Sequence, residues 1–239
     1  MRIACCIVAA GQGTRLGAEW TGTPKALVPV LGRPMLYYSL HALDLIPDIV
    51  DFTVAAPPEF VRKFRDEIHA WGFSRPVNVI AGGASRAESV LNALRALAGN
   101  PPEMVLIHDA ARVCITRPMI EALMQVVGDG VCATLAQSAV DTLRAVDNGM
   151  ISGEIDRSSI ACLETPQAFP YARLLELHES AKGSEELPDD TTLFTRAGEK
   201  VRVVFHDDSN MKITYPEDIV AAEGILFARG WQDASEGEE

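Results

Sequence analysis

Positive charge is scarce in this sequence. Lys and Arg number 21 against 33 Asp and Glu in 239 residues, a formal net charge of −12 at pH 7. Wrapping a nucleic-acid backbone needs a basic face, so that class is excluded. A small anionic substrate is not, because it needs only a local pocket of Lys and Arg. Long apolar runs are missing too. The longest, Ile3 to Ala10, is far shorter than the roughly 20 residues of a bilayer-spanning helix, so no membrane association is expected. Met1-Arg2 leads straight into it and no signal-type cleavage site follows. The five cysteines, at 5, 6, 114, 132 and 162, are odd in number and contain no C-x-x-C pair. They offer neither a disulfide framework nor a zinc site and read as buried, reduced thiols of a cytoplasmic protein. Repeats and low-complexity linkers are absent as well.

What is present is apolar residue in quantity, 48% of the chain, enough for a sizeable core. Buried-strand runs alternate with helical periodicities. Strands are expected at Ile3–Ala9, Val50–Ala56, Val77–Ile80, Met104–His108, Val131–Ala136 and Val201–Phe205. Helices are expected at Pro34–Leu45, Pro58–Trp71, from Ser85 to a stop at Gly99, at Pro118–Val127, at Pro188–Ala197 and from Thr214 to about Arg229. Ser85-Arg86-Ala87-Glu88 and Thr214-Tyr215-Pro216-Glu217 read as capping boxes. The alternation predicts an α/β fold: a Rossmann-like three-layer sandwich with a mainly parallel sheet, whose ligands sit at the carboxyl ends of the strands. Residues 1–231 read as a single domain and 232–239 as a disordered acidic tail.

One stretch breaks the pattern. Asp141–Leu163 carries short β-like pieces around Asp147-Asn148-Gly149 and has no long apolar face. It reads as a projecting β-arm, about residues 138–163, that packs on a second subunit in a homodimer.

The first strand runs into Ala10-Gly11-Gln12-Gly13-Thr14-Arg15-Leu16-Gly17. Glycines after a buried strand let the backbone turn sharply and aim N–H groups at one point, a nest suited to phosphate. The dinucleotide pattern G-x-G-x-x-G would need glycine at position 16, which is Leu, and no Gly-Lys-Ser/Thr of a Walker loop follows. A dehydrogenase is therefore disfavoured. Arg15 and Lys25 stand close to the loop, and Pro24 stiffens the approach of the second. Two such cations suit a triphosphate.

The A-A-G-x-G-x-R segment followed by Pro-Lys resembles the signature of nucleotidyltransferases that activate sugar phosphates. Six further segments come in order: Gly82-Gly83-Ala84-Ser85-Arg86-Ala87-Glu88-Ser89-Val90, His108-Asp109-Ala110-Ala111-Arg112, Asp141-Thr142-Leu143, Asp156-Arg157, Thr165-Pro166-Gln167-Ala168-Phe169 and Asn210-Met211-Lys212-Ile213-Thr214. Together they resemble the 2-C-methyl-D-erythritol 4-phosphate cytidylyltransferase family over roughly residues 3–225.

The resemblance implies transfer of CMP from CTP to a small polyol phosphate, with release of pyrophosphate, in non-mevalonate isoprenoid precursor synthesis. The nucleophile would be the acceptor's own phosphate oxygen, so fixed cations and Mg²⁺, bound mainly through the CTP phosphates, matter more than a general base. The resemblance makes Arg15, Lys25 and Lys212 catalytic. It gives the acceptor's phosphate to Arg157 with Thr142, reaching across a dimer. It gives the acceptor's hydroxyls to Asp109, oriented by Arg112. Asp109 as a water-mediated Mg²⁺ ligand stays open, and no protein cage for a metal is expected. The nucleotide would be read by Ala9, Ala10, Gly11, Gly13, Gly82, Gly83 and the Ser89 hydroxyl. His108 reads as a packed, hydrogen-bonded histidine. Two other readings stay open: a ribitol 5-phosphate cytidylyltransferase, in whose group longer loops before Pro-Lys also occur, and a non-catalytic CTP-binding module.

Overall fold

The computed structural model describes residues 1–127, 131–181 and 187–234. In chain order the regular elements are β1 Ile3–Val8, β2 Pro29–Val30, β3 Arg33–Pro34, α1 Met35–Asp44, β4 Ile49–Ala56, α2 Val61–Trp71, β5 Val77–Ala81, α3 Arg86–Ala96, β6 Met104–Asp109, α4 Arg117–Val127, β7 Cys132–Ser138, β8 Arg144–Asp147, β9 Met150–Glu154, β10 Ala161–Pro170, α5 Tyr171–Ser180, α6 Thr191–Arg196, β11 Val201–Phe205 and α7 Pro216–Ala228. Seven strands form one sheet in the order β11-β7-β10-β6-β1-β4-β5. All pairings are parallel except those of β10, which runs against β6 and β7.

The two-residue period of a strand sets the layers. On β1, Ile3, Cys5 and Ile7 join one core with Leu36 of α1, Phe64 of α2 and Ile120 of α4. Ala4 and Cys6 point the other way, to Val90 of α3, Leu174 of α5 and Phe194 of α6. Helices thus cover both faces, as the near-continuous apolar run predicts for a central parallel strand. Burial raises the thiols of Cys5 and Cys6 well above the ordinary range, so they pack and do not react. Cys162 departs from the expectation of burial: it is exposed on β10.

Several boundaries shift for local reasons. Helix α3 ends at Ala96, before Gly99. Its cap is the expected Ser85, whose Oγ accepts from Glu88 N at 3.1 Å. The Glu88 carboxylate, however, accepts from Ala84 N at 2.8 Å, one residue upstream of the usual reciprocal bond. Helix α6 starts at Thr191 because the Asp189 carboxylate accepts from Thr192 N at 3.1 Å, which leaves Pro188 outside. Helix α7 starts at Pro216 because Asp218, not Glu217, closes the cap: its carboxylate accepts from Thr214 N at 2.7 Å and Tyr215 N at 2.8 Å. Of the expected tail, 235–239 lies outside the described residues. Its first residues are held: Ala234 N donates to Leu31 O at 3.2 Å, and the neighbouring Trp231 ring packs on Tyr38 with centroids 4.8 Å apart.

The arm is a two-stranded hairpin, β8 paired antiparallel with β9. Asn148 and Gly149 both take positive φ, 47° and 80°, as a two-residue hairpin turn of the primed class requires. It is shorter than expected at one end, since Ala161–Leu163 pair with β7 in the main sheet.

Candidate active site

The carboxyl ends of β1, β4, β5 and β6 open on one cleft of about 910 Å³. Ala9, Ala10, Gly11, Gly13, Gly82, Gly83, Ser89, Arg15, Lys25, Asp109 and Lys212 all line it. Eleven residues picked from separate motifs are thus brought together by one sheet edge.

The glycine loop is shaped for close approach. Leu16 N donates to Gly13 O at 2.9 Å, closing a turn in which Gly13 has φ +66°. Lys25 follows Pro24 in a single 3-10 turn and comes against it. Its ammonium is lowered to about 8, first by burial and then by the nearby charges of Lys212 and Arg15. Two further cations close to a partly buried ammonium make a pocket suited to an anionic ligand. Arg15 itself is exposed, its guanidinium 5.7 Å from the ring centroid of Tyr215.

Asp109 closes β6 and is buried. Its backbone N donates to Thr165 Oγ1 at 3.0 Å. One carboxylate oxygen accepts from Arg86 Nε at 3.1 Å and the other from Lys212 Nζ at 2.6 Å. Burial would raise this carboxyl, but Arg86 and Lys212 hold it well below the ordinary range. Arg112 does not take the orienting place expected of it. Its Nη1 donates to Asn210 O at 2.7 Å and lies 3.6 Å from Glu164 Oε1. Glu164 is buried at the register shift of β10 and also accepts from Asn210 Nδ2 at 2.8 Å. Arg112 is thus drawn to β10, and Arg86 orients Asp109 instead. Arg86 sits inside the Gly82–Val90 segment, as first residue of α3, so that segment was the signal that could have found it. Among described residues no group of three or more His, Cys, Asp or Glu could hold a metal. With both Asp109 oxygens on cations, direct ligation there is ill matched, whereas an ion carried by phosphates would fit the cleft.

His108 is buried and lies 3.2 Å, at Nδ1, from Thr165 Oγ1. Burial lowers it to about 4, so it is neutral at pH 7. The Ser89 hydroxyl is committed to the protein: it accepts from Gly83 N at 3.0 Å and donates to Ser85 O at 2.9 Å. The amides of Ala9 and Gly82 donate to Ala55 O at 2.9 Å and Ala56 O at 2.7 Å. The hydroxyl of Ser89 and the amides of Ala9, Gly82 and Gly83 are thus bonded within the protein, and Ser89 shapes the loop.

Thr142 and Arg157 are exposed on the arm and do not line the cleft. Arg157 Nη1 donates to Val140 O at 2.7 Å.

Comparison with known proteins follows the same lines. The family described as 2-C-methyl-D-erythritol 4-phosphate cytidylyltransferase matches residues 3–228. A protein of that name from Geotalea uraniireducens is 35% identical over 229 residues, covering 95% of this chain and 97% of the relative. One from Dechloromonas aromatica is 37% identical over 227 residues, covering 93% and 96%. A solved 4-diphosphocytidyl-2C-methyl-D-erythritol synthase from Anaerococcus prevotii superposes with a TM-score of 0.82 at 25% identity, covering 95% and 98%.

Proposed function

We infer that this chain, which belongs to the 2-C-methyl-D-erythritol 4-phosphate cytidylyltransferase family, transfers CMP from CTP to 2-C-methyl-D-erythritol 4-phosphate and releases pyrophosphate. The observation that carries the reading is the cleft itself, with a glycine turn, Arg15, Lys25 and Lys212 around one space beside the buried Asp109. The relatives do not favour the ribitol 5-phosphate and non-catalytic readings.

The acceptor's phosphate oxygen attacks the α-phosphorus of CTP, one P–O bond forms, and the bond to pyrophosphate breaks. No proton need leave the nucleophile, which agrees with a neutral, enclosed His108. The work is to bring two anions together and to stabilise charge on the α-phosphoryl group. Arg15 and Lys25 hold the triphosphate against the glycine turn. Lys212, anchored by Asp109, stands between nucleotide and acceptor. Asp109 accepts from the acceptor's hydroxyls. Mg²⁺, carried mainly on the CTP phosphates, supplies neutralisation of the triphosphate.

The acceptor's phosphate falls to Arg157 and Thr142 of a partner subunit. Support comes from the arm: Met150 is 73% and Ile151 72% exposed on it, and a lone two-stranded hairpin is marginal in water. The protein is then a homodimer of single-domain subunits, each spanning 1–231. Unpaired thiols fit the reducing cytoplasm, and no described helix is long and apolar enough to cross a membrane.

Pyrophosphate release from CTP and Mg²⁺, with 2-C-methyl-D-erythritol 4-phosphate and ribitol 5-phosphate tried separately, tests the reading. Turnover with the first is expected. Turnover with the second alone overturns the acceptor, and CTP binding without turnover of either overturns the enzyme.

A further inference from the structure

Beyond the cleft wall the Lys212–Asp109 pair continues into buried polar side chains that the inferred reaction does not use. Lys212 Nζ meets Asp109 at 2.6 Å and Asp109 meets Arg86 Nε at 3.1 Å. Arg86 Nη1 then donates to Asp190 Oδ2 at 2.7 Å, and the other oxygen of Asp190 lies 2.9 Å from His178 Nε2. Asp190 is 1% exposed and His178 4%. The line joins four elements: β6, the first turn of α3, the start of α6, and α5.

We propose that Asp190 is a positioning residue for the transfer: through Arg86 it fixes the Asp109 carboxylate, and with it Lys212, on the acceptor side of the cleft. The proposal rests on the function inferred above.

Stability alone does not explain the arrangement. Burying charges costs desolvation that their attraction often fails to recover, and apolar replacements are frequently as stable. What such a set secures is geometry. A guanidinium is a rigid plane, and Arg86 uses Nε for Asp109 and Nη1 for Asp190. Two carboxylates on different elements fix that plane where one would leave it free to swing. Arg86 also opens α3, whose preceding loop holds Gly82 and Gly83. Asp190 therefore ties the acceptor carboxylate to the element that shapes the nucleotide end of the cleft. His178 occupies the second oxygen of Asp190 and leaves it a single orientation. The sequence gives Asp190 no site role, because Pro188–Ala197 reads there simply as a helix.

Steady-state kinetics of the full chain, with CTP affinity measured separately by isothermal titration in the absence of acceptor, tests the idea. Asp190→Asn is expected to lower kcat/KM for the acceptor roughly 10–100-fold, the scale of a misplacement near 1 Å, with CTP affinity unchanged. Asp190→Glu is expected to recover part of the loss, because it restores the charge. On an Asp109→Asn background, Asp190→Asn is expected to add little, since residues acting through one another are not additive. Acceptor kinetics within twofold of wild type overturn the proposal. So does a parallel loss of CTP affinity, which a general loosening would give. Should Asp190→Asn fail to fold, Arg86→Lys, on the cleft wall, serves instead: an ammonium cannot bridge both carboxylates, and the same selective loss is expected. If wild type turns over neither acceptor, the inferred function falls while this proposal is still judged by a crystal structure of the variant that folds. Asp109 still within hydrogen-bond distance of Lys212 there would overturn it.

Discussion

Gly13 and Lys25 are in contact: a Cβ added to Gly13 would lie 2.9 Å from the Lys25 Cβ. The glycine also sits at φ +66°, a conformation costing roughly 1–2 kcal/mol for other L-residues. Gly13→Ala should therefore push Lys25 from its place more than it unfolds the protein. The expected outcome is a fall in kcat of about tenfold or more with a loss of stability no greater than about 2 kcal/mol. Turnover and thermal melts on one preparation check it.

Lys25 titrates near pH 8 in the free protein. Its cation is present below that value and lost above it, so kcat/KM for CTP should decline as pH rises past about 8 and the decline should be absent from Lys25→Met. Stability moves the opposite way. The folded value lies below the ordinary 10.5, so the charged Lys25 disfavours folding at pH 7, and that penalty fades between about 8 and 10.5. Lys25→Met should melt higher than wild type at pH 7, with the difference shrinking toward pH 10.

Arg15 and Tyr215 offer a graded test. Arg15→Gln should cost about 10²–10³ in kcat, as loss of one preorganised charge contact does. Tyr215→Leu removes only the ring beneath the guanidinium, an exposed contact of about 0.5–1 kcal/mol, and should cost a few-fold at most. Equal effects would mean that the tyrosine itself touches substrate.

Arg157 lies outside its own chain's cleft. If it serves the partner's site, Arg157→Gln and Lys25→Met, each with only weak residual activity alone, should regain about a quarter of wild-type activity when mixed and allowed to exchange subunits, because half the dimers then carry one complete site. No recovery on mixing would place Arg157 elsewhere in the mechanism.

Much of this was legible in the sequence for one reason: each strand of a parallel sheet ends at the ligand edge. Ile3–Ala9, Val77–Ile80 and Met104–His108 could each be read as strands, so the residues after them had to converge. The turn at Asn148-Gly149 was legible from local chemistry. Contacts between distant segments were not. That Arg112 leans to Glu164 and leaves Asp109 to Arg86 depends on the shifted register of β10, and no spacing along the chain encodes it. The capping carboxylates Asp189 and Asp218 were missed because a neighbouring acid or proline offered an equally plausible start.

The rim at Gly82-Gly83 has a consequence for how the protein can change. A side chain at Gly82 would meet Ala10 Cβ at 2.6 Å, one at Gly83 would meet Glu88 Cγ at 2.2 Å, and the Ser89 hydroxyl is already spoken for. There is almost no side chain here to exchange. If this rim reads the base, a lineage drifting toward another nucleobase could not do so by swapping residues along it; it would have to rebuild the path of the main chain. An inhibitor seated against the main chain of this rim would, for that reason, leave few single-codon escapes.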